Sequence, residues 1–145
     1  MDVPDGFTPT QFSRRIPFIE LIGPTFMRYT PEGGVDVGAW VTEDNRNGGR
    51  MAHGAFLITL ADMATARLAI NEAGPERGAV HISLSMDFFA PAPVGTWVEA
   101  RARIDRKGSS ILFLGCDFYV DNEKIGRATA VMKILTPRSA PPSDA

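Results

Sequence analysis

Asn47-Gly-Gly-Arg-Met-Ala-His53-Gly54-Ala55-Phe56-Leu-Ile-Thr-Leu-Ala-Asp62-Met-Ala-Thr-Ala66 is the stretch that decides the fold. A polar, glycine-rich loop runs directly into an apolar segment without internal Gly or Pro, which predicts a helix over residues 54–71. Phe56, Leu57, Leu60, Ala61, Ala64 and Leu68 fall on one face at helical spacing, and Ile58, Met63 and Ile70 make much of the remainder apolar. Such a helix is expected to be buried on most sides, with Asp62 in its middle. No basic residue stands three or four positions from Asp62, so no salt bridge within the helix can satisfy it. Thr59 or Thr65 could donate one hydrogen bond to it. An unpaired buried carboxylate costs several kcal/mol, which marks Asp62 as a candidate general base or nucleophile.

Strands surround this helix in sequence. Before it, Phe26–Tyr29 and Val35–Thr42 flank a Thr30-Pro-Glu-Gly-Gly34 turn, and Thr10 is placed to cap a short helix through Gln11–Ile22, with Pro17 early in it or breaking it. After it, residues 79–88, 97–105, 110–120 and 124–136 alternate with period two. In the first of these, Val80, Ile82, Leu84, Met86 and Phe88 are expected on one face and His81, Ser83, Ser85 and Asp87 on the other. The links Pro91–Gly95, Arg106–Ser109 and Asp121-Asn122 are short, which favours antiparallel neighbours. One buried helix and a run of long antiparallel strands predict an α+β two-layer domain whose sheet curves around the helix.

The 145 residues suit one domain: a flexible lead-in at 1–9, a domain over 10–137, and a disordered Pro/Ser-rich tail at 138–145. A net charge of −2 gives no argument for nucleic acid or anionic membrane as partner. No apolar run approaches the ~20 residues that span a bilayer, and the N-terminus lacks the basic and apolar regions of a signal peptide. The single Cys116 can form no internal disulfide, so a cytoplasmic location is expected. His53, His81 and Cys116 lie far apart in sequence, and no metal is expected.

The order of elements resembles the hotdog fold. Asn47, His53-Gly54 and Asp62, eight residues after Gly54, resemble the PaaI-like acyl-CoA thioesterases, which typically read Asn…His-Gly-Gly…Asp. The resemblance covers roughly residues 18–136 and includes Phe88-Phe89-Ala-Pro-Ala-Pro and Arg106-Lys-Gly-Ser. The family's second Gly is Ala55 here, which helical geometry tolerates. His81 stands near where relatives often carry Ser or Thr on the strand facing the site. The resemblance implies hydrolysis of an acyl-CoA, with coenzyme A entering only as part of the substrate and no separate cofactor. Asp62, Asn47, His53 and Gly54 are then the candidate catalytic residues. Ala55, His81, Ser83, Phe88, Arg106, Lys107, Gly108 and Ser109 are the candidate substrate contacts.

Physical chemistry supports parts of this. The first N–H groups of a helix lack internal partners, and a glycine there lets a developing oxyanion approach closely. Asn47 would orient water or hold the carbonyl, or it is only a turn residue. Arg106 and Lys107 beside Gly108-Ser109 form a plausible phosphate cradle, or a solvated turn. Gly54 and Asp62 stand about 12 Å apart along one helix, so one thioester cannot touch both in one subunit. A site shared between two antiparallel copies follows, with a dimer as the minimum and a dimer of dimers as an alternative. A non-catalytic acyl-CoA-binding or sensing protein and a hotdog hydratase or dehydratase remain as other readings.

Overall fold

The computed structural model describes residues 1–137; the tail expected at 138–145 lies outside them. Among the described residues seven strands form one antiparallel sheet: β1 (Thr8–Pro9), β2 (Phe26–Tyr29), β3 (Val35–Trp40), β4 (Ala79–Phe88), β5 (Trp97–Lys107), β6 (Ile111–Val120) and β7 (Glu123–Ile134). Their order across the sheet is β1-β2-β3-β5-β6-β7-β4. A five-residue helix α1 (Pro17–Leu21) and the long helix α2 (Gly54–Ala73) complete the fold. This is the hotdog arrangement, an antiparallel sheet wrapped around a long central helix.

α2 packs on the face of the sheet formed by β3 to β7. Leu60, Ala61, Ala64, Leu68 and Ala69 are buried against Val35, Val37, Val98, Leu112, Leu114, Phe118 and Met132. The alanines let the helix lie close to the strands, and the branched and aromatic strand residues fill the space between. The predicted apolar face is the buried one. The expectation of burial on most sides is not met: Ile58 is 40% and Ile70 43% exposed, and with Asp62 they form an open stripe along the helix. Gly74, at φ +90°, ends α2. Among the described residues, no helix is long and apolar enough to cross a membrane.

Three expectations about local structure are corrected. Thr10 caps no helix; α1 begins at Pro17, whose fixed φ and missing N–H suit a first helical position, and the preceding residues stay extended or bent. The lead-in over 1–9 is built into the fold at its end: Thr8 and Pro9 pair with Met27 and Phe26, and Phe7 is buried edge-on against Trp97 at 5.2 Å. Gly38 permits that aromatic cluster, because a Cβ there would lie 2.1 Å from the Trp97 ring. Finally, β4 and β5 are not neighbours despite their short link. Among the described residues β4 pairs only with β7 and forms one edge of the sheet, while β5 pairs with β3 and β6. The Pro91–Gly95 link instead crosses near the start of α2, where Ala92 O accepts a hydrogen bond from Ala52 N–H.

The two later hairpins follow the sequence more closely. Asp121 and Asn122 both have positive φ, +47° and +66°, and join β6 to β7 in a two-residue turn of the kind whose twist matches the strands. Arg106 and Lys107, expected in a turn, extend β5 instead. Arg101 and Arg103 lie on the outer face among Glu99, Asp105 and Asp117, as their alternation predicts. Cys116 is fully buried, and burial pushes its thiol pKa far up, which suits a packing residue and not a nucleophile.

Candidate functional site

The loop before α2 is held by a residue that the sequence does not single out. Asn45 is buried; its Oδ1 accepts from Thr42 N–H, its Nδ2 donates to Ile22 O and Trp40 O, and its own carbonyl receives His53 N–H. Only its position shortly after a strand hints at this role. Glu43 adds ion pairs to Arg46 (2.5 Å) and Arg50 (2.7 Å), and the Arg46 hydrogen bond holds its carboxyl below the usual carboxylate range. Arg50 takes a left-handed conformation, φ +61°, and its carbonyl accepts from Val94 N–H.

Asn47 is exposed, and its Oδ1 accepts from Gly49 N–H (2.8 Å) and Met51 N–H (3.1 Å). Its oxygen therefore shapes the turn, and the amide nitrogen is the group left to face a ligand. His53 is the N-cap of α2: its Nδ1 accepts from Ala55 N–H at 3.0 Å. The Ala55 amide is thus engaged by the cap and is not open to substrate in this arrangement. Gly54 N–H, the first of the helix, finds no acceptor among the described residues. The Phe88 ring lies over Gly54, so that a Cβ there would sit 3.3 Å from Phe88 Cζ. A cleft of about 400 Å³ opens here, lined by Asn47, Gly54, Leu57, Phe88 and Pro91. A second of about 250 Å³ flanks the same helix start from the other side, between Phe18 and Leu21 of α1 and His53, Ala55 and Phe56. α1 is not among the expected site elements; the exposure of Phe18 and Leu21, 60% and 76%, is visible only once the chain is folded.

Asp62 is not buried. Its side chain is 52% exposed on the open stripe of α2. Neither threonine reaches its carboxylate: Thr59 Oγ1 donates to Ala55 O, and Thr65 Oγ1 to Ala61 O. Its neighbour is His81, whose Nδ1 lies 3.3 Å from Asp62 Oδ1, while His81 Nε2 lies 2.9 Å from Thr65 Oγ1. That contact exists because the period-two pattern of β4 breaks. His81 stands opposite Met132 and Ser83 opposite Val131, leaving Ile82 as an extra residue in a β-bulge. His81 therefore shares the helix-facing side with Leu84, Met86 and Phe88, and Val80 and Ile82 are exposed. Ser83 is left on the outer side with Ser85, away from Asp62.

The expected phosphate cradle is also divided. Lys107 pairs with Leu112, which is fully buried, so it faces the helix and forms an ion pair with Glu72 near the helix end. Arg106 pairs with Phe113, which is 45% exposed, so it faces the outer side. Neighbouring strand residues point to opposite faces, and one phosphate cannot bridge them. Within one chain, Arg106 to Ser109 lie at the Glu72 end of α2, remote from Gly54. A concavity of about 680 Å³ lies by Arg28, Asp36, Arg101 and Arg103, and these four side chains are engaged in ion pairs, Arg28 with Asp36, Arg101 with Glu99 and Arg103 with Asp117. Among the described residues, no group of three or more His, Cys, Asp or Glu is arranged to hold a metal.

The chain is similar to known proteins. The model of the Thioesterase superfamily matches residues 49–127, from the glycine loop into β7. The Pseudomonas aeruginosa protein PA0474, which is named an esterase, is 31% identical over 92% of this chain and 98% of its own length. Two solved structures from Thermus thermophilus are similar along their whole length: the TT0310 protein (33% identity, 84% of this chain, 100% of its own, TM-score 0.72) and a mutant of the phenylacetic acid degradation protein PaaI (31% identity, 83% of this chain, 100% of its own, TM-score 0.72). With its helix-start glycine and its helix carboxylate inside the matched region, the chain belongs to the thioesterase superfamily.

Proposed function

We propose that the protein hydrolyses acyl-CoA thioesters to a free acid and coenzyme A, in active sites shared between two copies of the chain. The observation that carries this reading is the placement of two groups on one helix. Gly54 offers an open N–H at the end of α2, and Asp62 offers an exposed carboxylate about 12 Å further along it. The reacting centre of one thioester needs both groups within hydrogen-bond reach.

The open side of Asp62 lies beside β4, which among the described residues is a free sheet edge with Val80 and Ile82 exposed. Unpaired edges and apolar stripes of this kind invite a second strand. If β4 pairs antiparallel with its copy about a two-fold axis midway between His81 and Phe88, the Phe88 end of one chain meets the His81 end of the other. The same operation brings Gly54 of one copy toward Asp62 of its partner. Water then attacks the thioester carbonyl with Asp62 accepting its proton, or Asp62 attacks directly and forms an anhydride that water opens. Gly54 N–H receives the developing oxyanion, the C–S bond breaks, and the thiolate of coenzyme A leaves.

A thiol-release assay across acyl-CoA chain lengths tests the reaction. Free thiol supports hydrolysis; binding without thiol, or a change in acyl-chain absorbance without thiol, favours a binding protein or a hydratase. Mixing the inactive chains Asp62→Ala and Gly54→Pro tests the sharing. Mixed dimers hold one site with both defects and one with neither, so part of the activity returns; no recovery, or a fully active monomer in sedimentation, overturns it.

A further inference from the structure

The geometry points to His81 as the residue that positions Asp62, holding one carboxylate oxygen so that the other acts at the reacting centre; this rests on the thioesterase reading above. Three independent features converge on it. The bulge at Ile82 turns His81 from the outer face to the helix face, where Asp62 lies. Bulges of this kind re-aim side chains at a cost in ladder pairing. His81 then touches α2 at both ring nitrogens, Nδ1 toward Asp62 Oδ1 at 3.3 Å and Nε2 toward Thr65 Oγ1 at 2.9 Å. Thr65 is itself fully buried, with Oγ1 2.7 Å from Ala61 O and 2.9 Å from His81 Nε2; its one proton turns to Nε2 when the neutral ring donates from Nδ1, and either way it is a fixed anchor and not a mobile surface hydroxyl.

This arrangement separates two roles that a His beside an Asp could take. An acting base needs a nitrogen aimed at substrate or water. Nε2 of His81 is taken by Thr65 Oγ1 and Nδ1 faces the Asp62 carboxylate at 3.3 Å, which assigns the ring an orienting role. Asp62 is the reverse: Oδ1 faces Nδ1, and the side chain as a whole is 52% exposed on the open stripe of the helix. A half-exposed Asp on a helix would otherwise sample several rotamers. A donor fixed through a buried threonine selects one of them, and such preorganisation acts on kcat. Facing His81 from β7 is Met132, which carries no charge, and Asp62 is the ionisable group on α2 within reach of the ring.

The test uses two substitutions of opposite character. His81→Asn keeps a side-chain nitrogen the same number of bonds from Cα as Nδ1; His81→Leu keeps the bulk and removes every donor. Positioning predicts that His81→Leu lowers kcat by about 10-fold or more with KM within about twofold, and that His81→Asn keeps most of the activity. A packing role predicts the reverse order, with His81→Leu fully active, and that result overturns the inference. A readout independent of activity is the ring N–H of His81 in a ¹H–¹⁵N spectrum of the full-length protein. A protected signal that is lost in Asp62→Ala supports the pairing even if no acyl-CoA is hydrolysed, in which case only the reaction assignment fails. A signal that is absent, or unchanged in Asp62→Ala, refutes the pairing whatever the activity.

Discussion

Asp62 Oδ1 lies 3.3 Å from His81 Nδ1, joining the middle of the central helix to the edge strand of the sheet. This contact places the candidate carboxylate on a half-open surface beside the edge strand β4, and not in a buried core. Replacing Asp62 should therefore leave the fold intact. Asp62→Ala is expected to reduce kcat for thioester hydrolysis by roughly 10²-fold or more, the usual loss on removing a general base. Thermal melting should remain level or rise, since Ala is the better helix former. Wild-type turnover in the variant would remove Asp62 from the mechanism, and an unfolded variant would make it structural.

Gly54→Ala separates backbone approach from helix stability. An added Cβ would lie 3.3 Å from Phe88 Cζ and on the side of the cleft at the helix start, so the ring must give by a few tenths of an ångström. Helix propensity favours the change, by up to about 1 kcal/mol. Melting temperature should hold or rise while kcat falls by about 10-fold or more, because the methyl crowds the oxygen that the amide would receive. Unchanged steady-state kinetics would show that no ligand oxygen approaches this backbone.

His53 caps α2 through Nδ1, and capping has its own signature. His53→Ala should lower stability by about 1 kcal/mol in denaturant titration, while His53→Asn, another good N-cap, should keep it. If kcat falls equally in both, the imidazole contributes to the reaction beyond its cap. If activity follows stability, the cap is its whole role.

Asn45→Ala should be the most destabilising change in the loop, by about 2 kcal/mol, since it orphans Thr42 N–H and two carbonyls in a buried place. Asn47→Ala, on an exposed turn, should lose less in the same unfolding measurement. Equal losses would mean that Asn45 does not anchor the loop.

The amino-acid order by itself determined the secondary elements that depend on local rules. The apolar run after Gly54 is helical because nothing in it breaks a helix and its bulky residues recur on one face. The Asp121-Asn122 turn closes a hairpin because both residues tolerate positive φ. The catalytic candidates Gly54 and Asp62 were legible for the same reason, as positions on one helix with a measurable rise between them. What the tertiary structure alone decided concerns pairing between distant segments. Nothing local in Pro91–Gly95 reveals that β4 and β5 part to separate places in the sheet. Nothing in the alternation of β4 reveals the bulge at Ile82, because a bulge is a mismatch between two strands and belongs to neither alone. That single extra residue turns His81 toward Asp62 and leaves Ser83 outside. The same kind of non-local register puts Arg106 and Lys107 on opposite faces. The exposure of Asp62 escapes the sequence on the same ground: a helix reports which of its faces are apolar, and only the assembled sheet decides which of them it covers.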